Sequence, residues 1–176
     1  GYAWGGAGPG FLGAVAPLDA DGGLGRALCT GVPGPCGAGL PPGALIRNDA
    51  GGFRCLPTDL VVERDDILFT SGLEHRDVLR IPISHGEGNY FADPATLSRL
   101  EQNGQVVLRY CAPDGLVVPS ANPNGSIHNI AGIVNREGNV LGMMPHPERC
   151  AEPELGGTDG LRLFRSVVNS FTGVPA

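Results

Sequence analysis

"NIAGIVNREGNVLGMMPHPERC", residues 129–150, sets two short apolar runs around a turn former and ends in a His-x-Glu braced by prolines. "NIAGIVN" and "NVLGMM" have the length and composition of strands, and the "REG" between them is a turn signal. The two are expected to pair as a hairpin. Just beyond the second run, His146 and Glu148 lie two residues apart. In a strand, residues i and i+2 point to one side, so the imidazole and carboxylate project together. Pro145 and Pro147 stiffen the backbone around them. A carboxylate beside a histidine fixes the ring's tautomer, the orienting role of a catalytic triad. A solvated strand end with an incidental ion pair fits the same residues, and on this segment alone the two readings are about even.

Working outward, "SANPNGSIHNIAG" (120–132) is a turn-rich loop leading into the first of these strands. Loops of this length between strands often form ligand or partner surfaces. "QVVLRYC" (105–111), "VLRIPI" (78–83) and "LVVER" (60–64) read as further strands. "DPATLSRLEQNG" (93–104) reads as a helix: Asp93 caps it, Pro94 opens it, Leu97 and Leu100 form its apolar stripe, and Gly104 ends it. "TDGLRLFRSVVNSF" (158–171) places Leu161, Phe164, Val168 and Phe171 at helical spacing. Strands interleaved with helices favour an α/β sheet domain. "ISHGEGNYF" (83–91) sets His85 and Glu87 between glycines. Gly86 and Gly88 let backbone amides approach a ligand closely, but for the side chains alone a tight turn with a surface His and Glu is favoured about two to one. His75 and His128 read as loop or surface residues.

A chain of 176 residues suits one domain, although residues 1–43 are rich in breakers and show little periodicity. The formal net charge of −6 argues against nucleic acid as a partner, and the twelve basic residues, all arginine, are mostly scattered. No apolar run approaches the roughly 20 residues that span a bilayer. Five widely spaced cysteines, Cys29, Cys36, Cys55, Cys111 and Cys150, fit neither a disulfide framework nor a zinc pattern. Free thiols point to a reducing compartment, the cytoplasm. His85, Glu87, His146 and Glu148 lack metal-ligand spacing, so no metal is expected. The chain opens on Gly1 rather than Met, and a missing N-terminal piece is expected.

Taken together, "LRIPISHGEGNYFADPATLSRLEQNGQVVLRY", "ANPNGSIHNIAGIVNREGNVLGMMPHPER" and "GGTDGLRLFRSVV" closely resemble the glutaminase subunits of phosphoribosylformylglycinamidine synthase. These are class I, triad-type glutamine amidotransferases of purine synthesis. The likeness covers roughly residues 40–172, whereas 1–39 match poorly. It implies one amidotransferase domain over 1–176 with a doubly wound, mostly parallel sheet of flavodoxin-like type, lacking its N-terminal part. It also implies a Cys–His–Glu triad. His146-Pro147-Glu148 matches the family's His-Pro-Glu, and the frame of "AGLPPGALIRN" (38–48) places the nucleophile at Cys29. Oxyanion or substrate contacts are implied at Thr30, Gly31, His85 and Gly86. No cofactor is implied in this chain; ATP and magnesium belong to a large synthetase subunit, which a small accessory subunit joins.

The sequence departs from the family around Cys29. Ala27, Thr30, Val32 and Pro33 stand where the family has Gly, Asn, an aromatic residue or Cys, and Gln. Pro33 and Pro35 fall in the first turns of the helix that follows the family nucleophile, and an interior proline costs about 3 kcal/mol. Residues 1–28 lack a convincing opening strand and oxyanion loop, and "LGRALC" is a poor buried strand. Two alternatives follow: a non-catalytic subunit that only docks the synthetase, and an unrelated cysteine hydrolase on a similar sheet.

Overall fold

The protein is described from a computed structural model, in which residues 2–3, 14–17, 27–30, 42–49 and 51–172 are described, the last two helical positions and the first three segments as backbone only. Among the described residues, ten strands run in chain order: β1 (Tyr2–Ala3), β2 (Ala14–Pro17), β3 (Ala27–Thr30), β4 (Ala44–Ile46), β5 (Arg54–Val62), β6 (Val78–His85), β7 (Asn89–Phe91), β8 (Val106–Cys111), β9 (Ile130–Val134) and β10 (Val140–Met143). Helix α1 spans Pro94–Gln102 and α2 spans Asp159–Thr172. Eight strands form one sheet in the order β1-β2-β3-β10-β9-β8-β5-β6, and β4 and β7 form a separate ribbon.

The expected mostly parallel sheet is corrected. Among the described residues, β3 with β10 is the one parallel pair, and every other neighbour runs antiparallel. The reason lies in the connections. A parallel neighbour needs a crossover of a dozen or more residues, usually through a helix. Here β9 returns directly as β10, and β5 returns as β6 without an intervening helix. The hairpin read from residues 129–144 is present, with Leu141 opposite Val134 and Met143 opposite Gly132. Asn135 closes its turn by accepting from the N–H groups of Asn139 and Val140 at 3.0 and 2.9 Å.

The sheet curls. The backbone N–H of His146, three residues past β10, donates to the Pro82 carbonyl of β6 at 2.8 Å. In a flat sheet these two strands would be four gaps, about 19 Å, apart. Three residues span only about 10 Å. Irregular register between β8 and β9, at Val106–Arg109, marks bulges of the kind that bend strands.

Helices cover both sides. Val106 and Val107 are successive on β8 and point to opposite faces. Val106 joins a cluster with Leu97 and Leu100 of α1, while Val107 joins a larger one with Leu163, Phe164 and Val167 of α2. Helix α1 begins as its sequence dictates: the Asp93 carboxylate accepts from the N–H groups of Ala95 and Thr96, both at 3.0 Å. Gly104, at φ +60°, follows its end. The inner line of α2 differs from the expected one. Leu163 and Ser166 are fully buried, whereas Val168 is 57% exposed and Leu161 and Phe164 only half-buried. Ser166 replaces an apolar contact with hydrogen bonds, accepting from Gly72 N–H and donating to the Arg162 carbonyl, both at 3.0 Å. Phe171's side chain lies outside the described residues.

Candidate active site

His146 sits where β10 has ended and a 3-10 turn, Pro147–Cys150, begins. Its Nδ1 lies 2.7 Å from Oε1 of Glu148. The expected pair therefore meets, but through a turn rather than strand alternation, since His146 is the residue that caps the 3-10 turn. Its carbonyl accepts from Arg149 N–H at 3.1 Å, so the backbone is fixed on both sides of the ring. The His146 side chain is 3% exposed and that of Glu148 38%. Arg149 Nε stands 3.9 Å from the same carboxylate oxygen. A carboxylate on Nδ1 holds the proton there and leaves Nε2 with its lone pair, the arrangement of a general base.

Strand β3 brings Cys29 and Thr30 to the same end of the sheet. It runs parallel to β10 with Cys29 opposite Gly142 and Thr30 opposite Met143. Both strands thus end together, and His146 follows three residues after Met143. In α/β sheets, ligands bind beyond the carboxyl ends of such strands. Of "LGRALC", read as a poor buried strand, Ala27–Cys29 lie in β3. Among the described residues, the nearest atom to a β-carbon added at Gly142, the partner of Cys29, is the Ile133 carbonyl oxygen at 4.0 Å. Gly31, Pro33 and Pro35 lie outside the described residues.

His85 is not the surface residue of a tight turn; it is 7% exposed and central to a polar network. Asn48 Oδ1 accepts the Gly88 N–H at 3.0 Å, which fixes that atom as oxygen, so His85 Nδ1, 3.1 Å away, must carry a proton. Asn124 Oδ1 accepts from Ser126 N–H at 3.1 Å, so its Nδ2 faces His85 Nε2, at 3.3 Å. Nε2 is therefore an acceptor and the ring is neutral. Burial first, then the neighbouring His146, push its pKa down to about 4; a backbone hydrogen bond opposes them, and the Arg54 charge adds a smaller push down. Both ring nitrogens are engaged within the protein. The Gly86 carbonyl accepts from Asn48 N–H at 3.1 Å, and no atom of the described residues lies within 4 Å of a β-carbon built on Gly86.

The loop 120–126 turns inward instead of forming an open surface. Asn124 and Ser126 are buried. Asn124 also donates to the Gly88 carbonyl at 2.8 Å and to the buried hydroxyl of Tyr110 at 3.2 Å. Sequence reasoning treated Asn124 as a turn former, gave Asn48 and Ser126 no role, and missed all three as the scaffold of His85. One available signal was Gly88: a β-carbon there would fall on the His85 ring. His75 and His128 are exposed, as read. Glu87 is exposed too. Among the described residues, no three His, Cys, Asp or Glu side chains are grouped to hold a metal ion, and no helix is long and apolar enough to cross a membrane.

Comparison with known proteins bears on this geometry. The family model of the CobB/CobQ-like glutamine amidotransferase domain matches residues 39–157, which include His85, His146 and Glu148 but not Cys29. The chain is 56% identical over 156 residues to the phosphoribosylformylglycinamidine synthase subunit PurQ of Moorella thermoacetica, covering 89% of this chain and 66% of that protein. Against the subunit of the same name from Gloeobacter violaceus it is 54% identical over 153 residues, with 87% and 66% covered. The solved structure of PurLQS from Thermotoga maritima matches with a TM-score of 0.63 at 42% identity, over 76% of this chain and 55% of that one. The chain spans about two thirds of the length of these curated relatives.

Proposed function

This chain belongs to the family of CobB/CobQ-like glutamine amidotransferase domains, and from that premise we propose that it acts as the glutaminase subunit of a phosphoribosylformylglycinamidine synthase. Residues 1–176 are read as one domain of the class I amidotransferase type. The names of the relatives support the activity. The observation that carries it is the buried His146 with Nδ1 held by Glu148, at the sheet end reached by Cys29.

In this reading Nε2 of His146 takes the proton of the Cys29 thiol, and the thiolate attacks the side-chain amide carbon of glutamine. Backbone N–H groups at Thr30 and Gly31 hold the oxyanion. His146 returns the proton to the departing nitrogen, so ammonia leaves and a thioester forms. Water, deprotonated by the same nitrogen, then attacks the thioester; the Cys29–acyl bond breaks and glutamate is released. Glu148 keeps the ring in the tautomer that both steps require. With both ring nitrogens occupied, His85 supports the Gly86–Gly88 backbone rather than touching substrate, while Gly86, unobstructed by the described residues, is read as the substrate contact of that loop.

The likeness to PurLQS supports docking on a large synthetase subunit, which uses the ammonia together with ATP and magnesium, and a small accessory subunit completes the assembly. Free thiols at Cys55, Cys111 and Cys150 suit the cytoplasm. Treatment with a glutamine-analogue affinity label, followed by peptide mapping, tests the reading. One label per chain at Cys29, lost in His146→Ala, is expected. A folded protein that stays unlabelled even with a synthetase subunit present is a docking subunit only and overturns it.

A further inference from the structure

The His146–Glu148 turn is held by groups that no pairing of catalytic residues explains. Strand β6 is the edge of the sheet, and its outward backbone groups need partners. Pro82 has no N–H to satisfy, and its carbonyl accepts the N–H of His146 at 2.8 Å. Two residues earlier, Arg80 N–H donates to Oδ2 of Asp159 at 2.8 Å. Asp159 is the first residue of α2, so one strand edge holds both the helix and the histidine. Arg162, one turn along, pairs with Asp77 just before β6. The next residue of α2, Gly160, is buried against Pro147. A β-carbon there would overlap the carbonyl oxygen, carbonyl carbon and α-carbon of Pro147. These are backbone atoms, not the flexible end of a side chain, and Pro147 stands between His146 and Glu148.

We infer that Gly160 is a positioning residue for the catalytic pair: lacking a side chain, it lets the first turn of α2 back Pro147 and set His146 against Glu148. This rests on the reading of His146 as the general base. The left-handed region plays no part, because Gly160 has no positive φ. What the position demands is contact distance. Gly157 is the matched control, three residues away, where a β-carbon would make only ordinary contact with Cys150 at 3.9 Å.

The test compares wild type, Gly160→Ala, Gly157→Ala and Asp159→Ala. Proton NMR of the imidazole N–H groups reads the His146–Glu148 bond directly, with His146→Gln for assignment. Glutamine hydrolysis with the synthetase subunit gives kcat and KM. Gly160→Ala is expected to lose or shift the His146 Nδ1–H resonance and to lower kcat about 10–100-fold with KM within about twofold, the scale of an ångström-sized misplacement. Asp159→Ala, which keeps the glycine but releases α2 from β6, moves both readouts the same way by a smaller factor, and decides the matter if Gly160→Ala does not fold. Gly157→Ala leaves both unchanged. An unchanged resonance in folded Gly160→Ala, or in Asp159→Ala if that variant alone folds, overturns the inference. If the wild type hydrolyses no glutamine, the function falls, while the resonance still reports the positioning.

Discussion

Replacing Gly88 with alanine tests the His85 network through a sign change. The added β-carbon falls on the imidazole ring. Gly88 is not at positive φ, so alanine itself suits the backbone and the whole penalty comes from the ring. That ring is pinned between Asn48 and Asn124, and neither can retreat without orphaning buried groups. Overpacking costs about 1–3 kcal/mol, and each orphaned buried polar group about 1–3 kcal/mol more. A destabilisation of about 3 kcal/mol is therefore expected, lowering Tm by about 6–12 °C for a chain of this size. In a His85→Ala background the ring is gone and the β-carbon has room. There Gly88→Ala should be neutral, or stabilising by about 0.4–1 kcal/mol through the unfolded chain. Calorimetry or urea melts of wild type, both single variants and the double variant give the coupling. Additivity within about 0.5 kcal/mol would refute the reasoning.

Other outcomes follow from single groups. Because His85 is held neutral with a pKa of about 4 against an ordinary 6.5, the unfolded chain binds the extra proton between those values, so its contribution is present above pH 6.5 and lost as pH falls towards 4. The loss is up to about 3 kcal/mol; urea midpoints of His85→Ala should show a shallower fall over that window, and an equal slope would exclude His85 as the source. Glu148→Gln offers Nδ1 an amide N–H as readily as an oxygen and so supports the wrong tautomer; kcat should drop by about 10²–10⁴-fold with folding intact. Thr70 Oγ1 is buried, with no hydrogen-bond partner among the described residues. Thr70→Val should therefore stabilise, by about 1 kcal/mol, and a lowered Tm would mean that the hydroxyl has a partner.

What the sequence made legible was local. Asp93, Pro94 and Gly104 delimit α1 because capping chemistry acts within one turn, and Asn135 to Gly138 close the β9–β10 hairpin for the same reason. The His-x-Glu spacing found the candidate pair even though a 3-10 turn, not a pleat, brings it together. Strand direction was not legible, since periodicity is the same in parallel and antiparallel strands; only the missing helical crossovers distinguish them. His85 was read as exposed because its burial depends on Asn48 and Asn124, each 37 or more residues away. The inner face of α2 was misplaced by its apolar letters, because Gly160 and Ser166 face inward for contact distance and hydrogen bonding rather than hydrophobicity.

The parallel pairing of β3 with β10 also bears on the order of folding. Cys29 and Gly142 meet across about 110 residues of chain, whereas β5 to β10 are joined largely by neighbours in sequence. Contacts that close so long a loop are expected to form late, after the antiparallel region has its core. A molecule with full circular dichroism and a sharp melt can thus still have β3, the strand of Cys29, undocked, and foldedness and competence become separate quantities to measure. Under the proposed function, specific activity is expected to report the fraction of chains in which that last strand is seated.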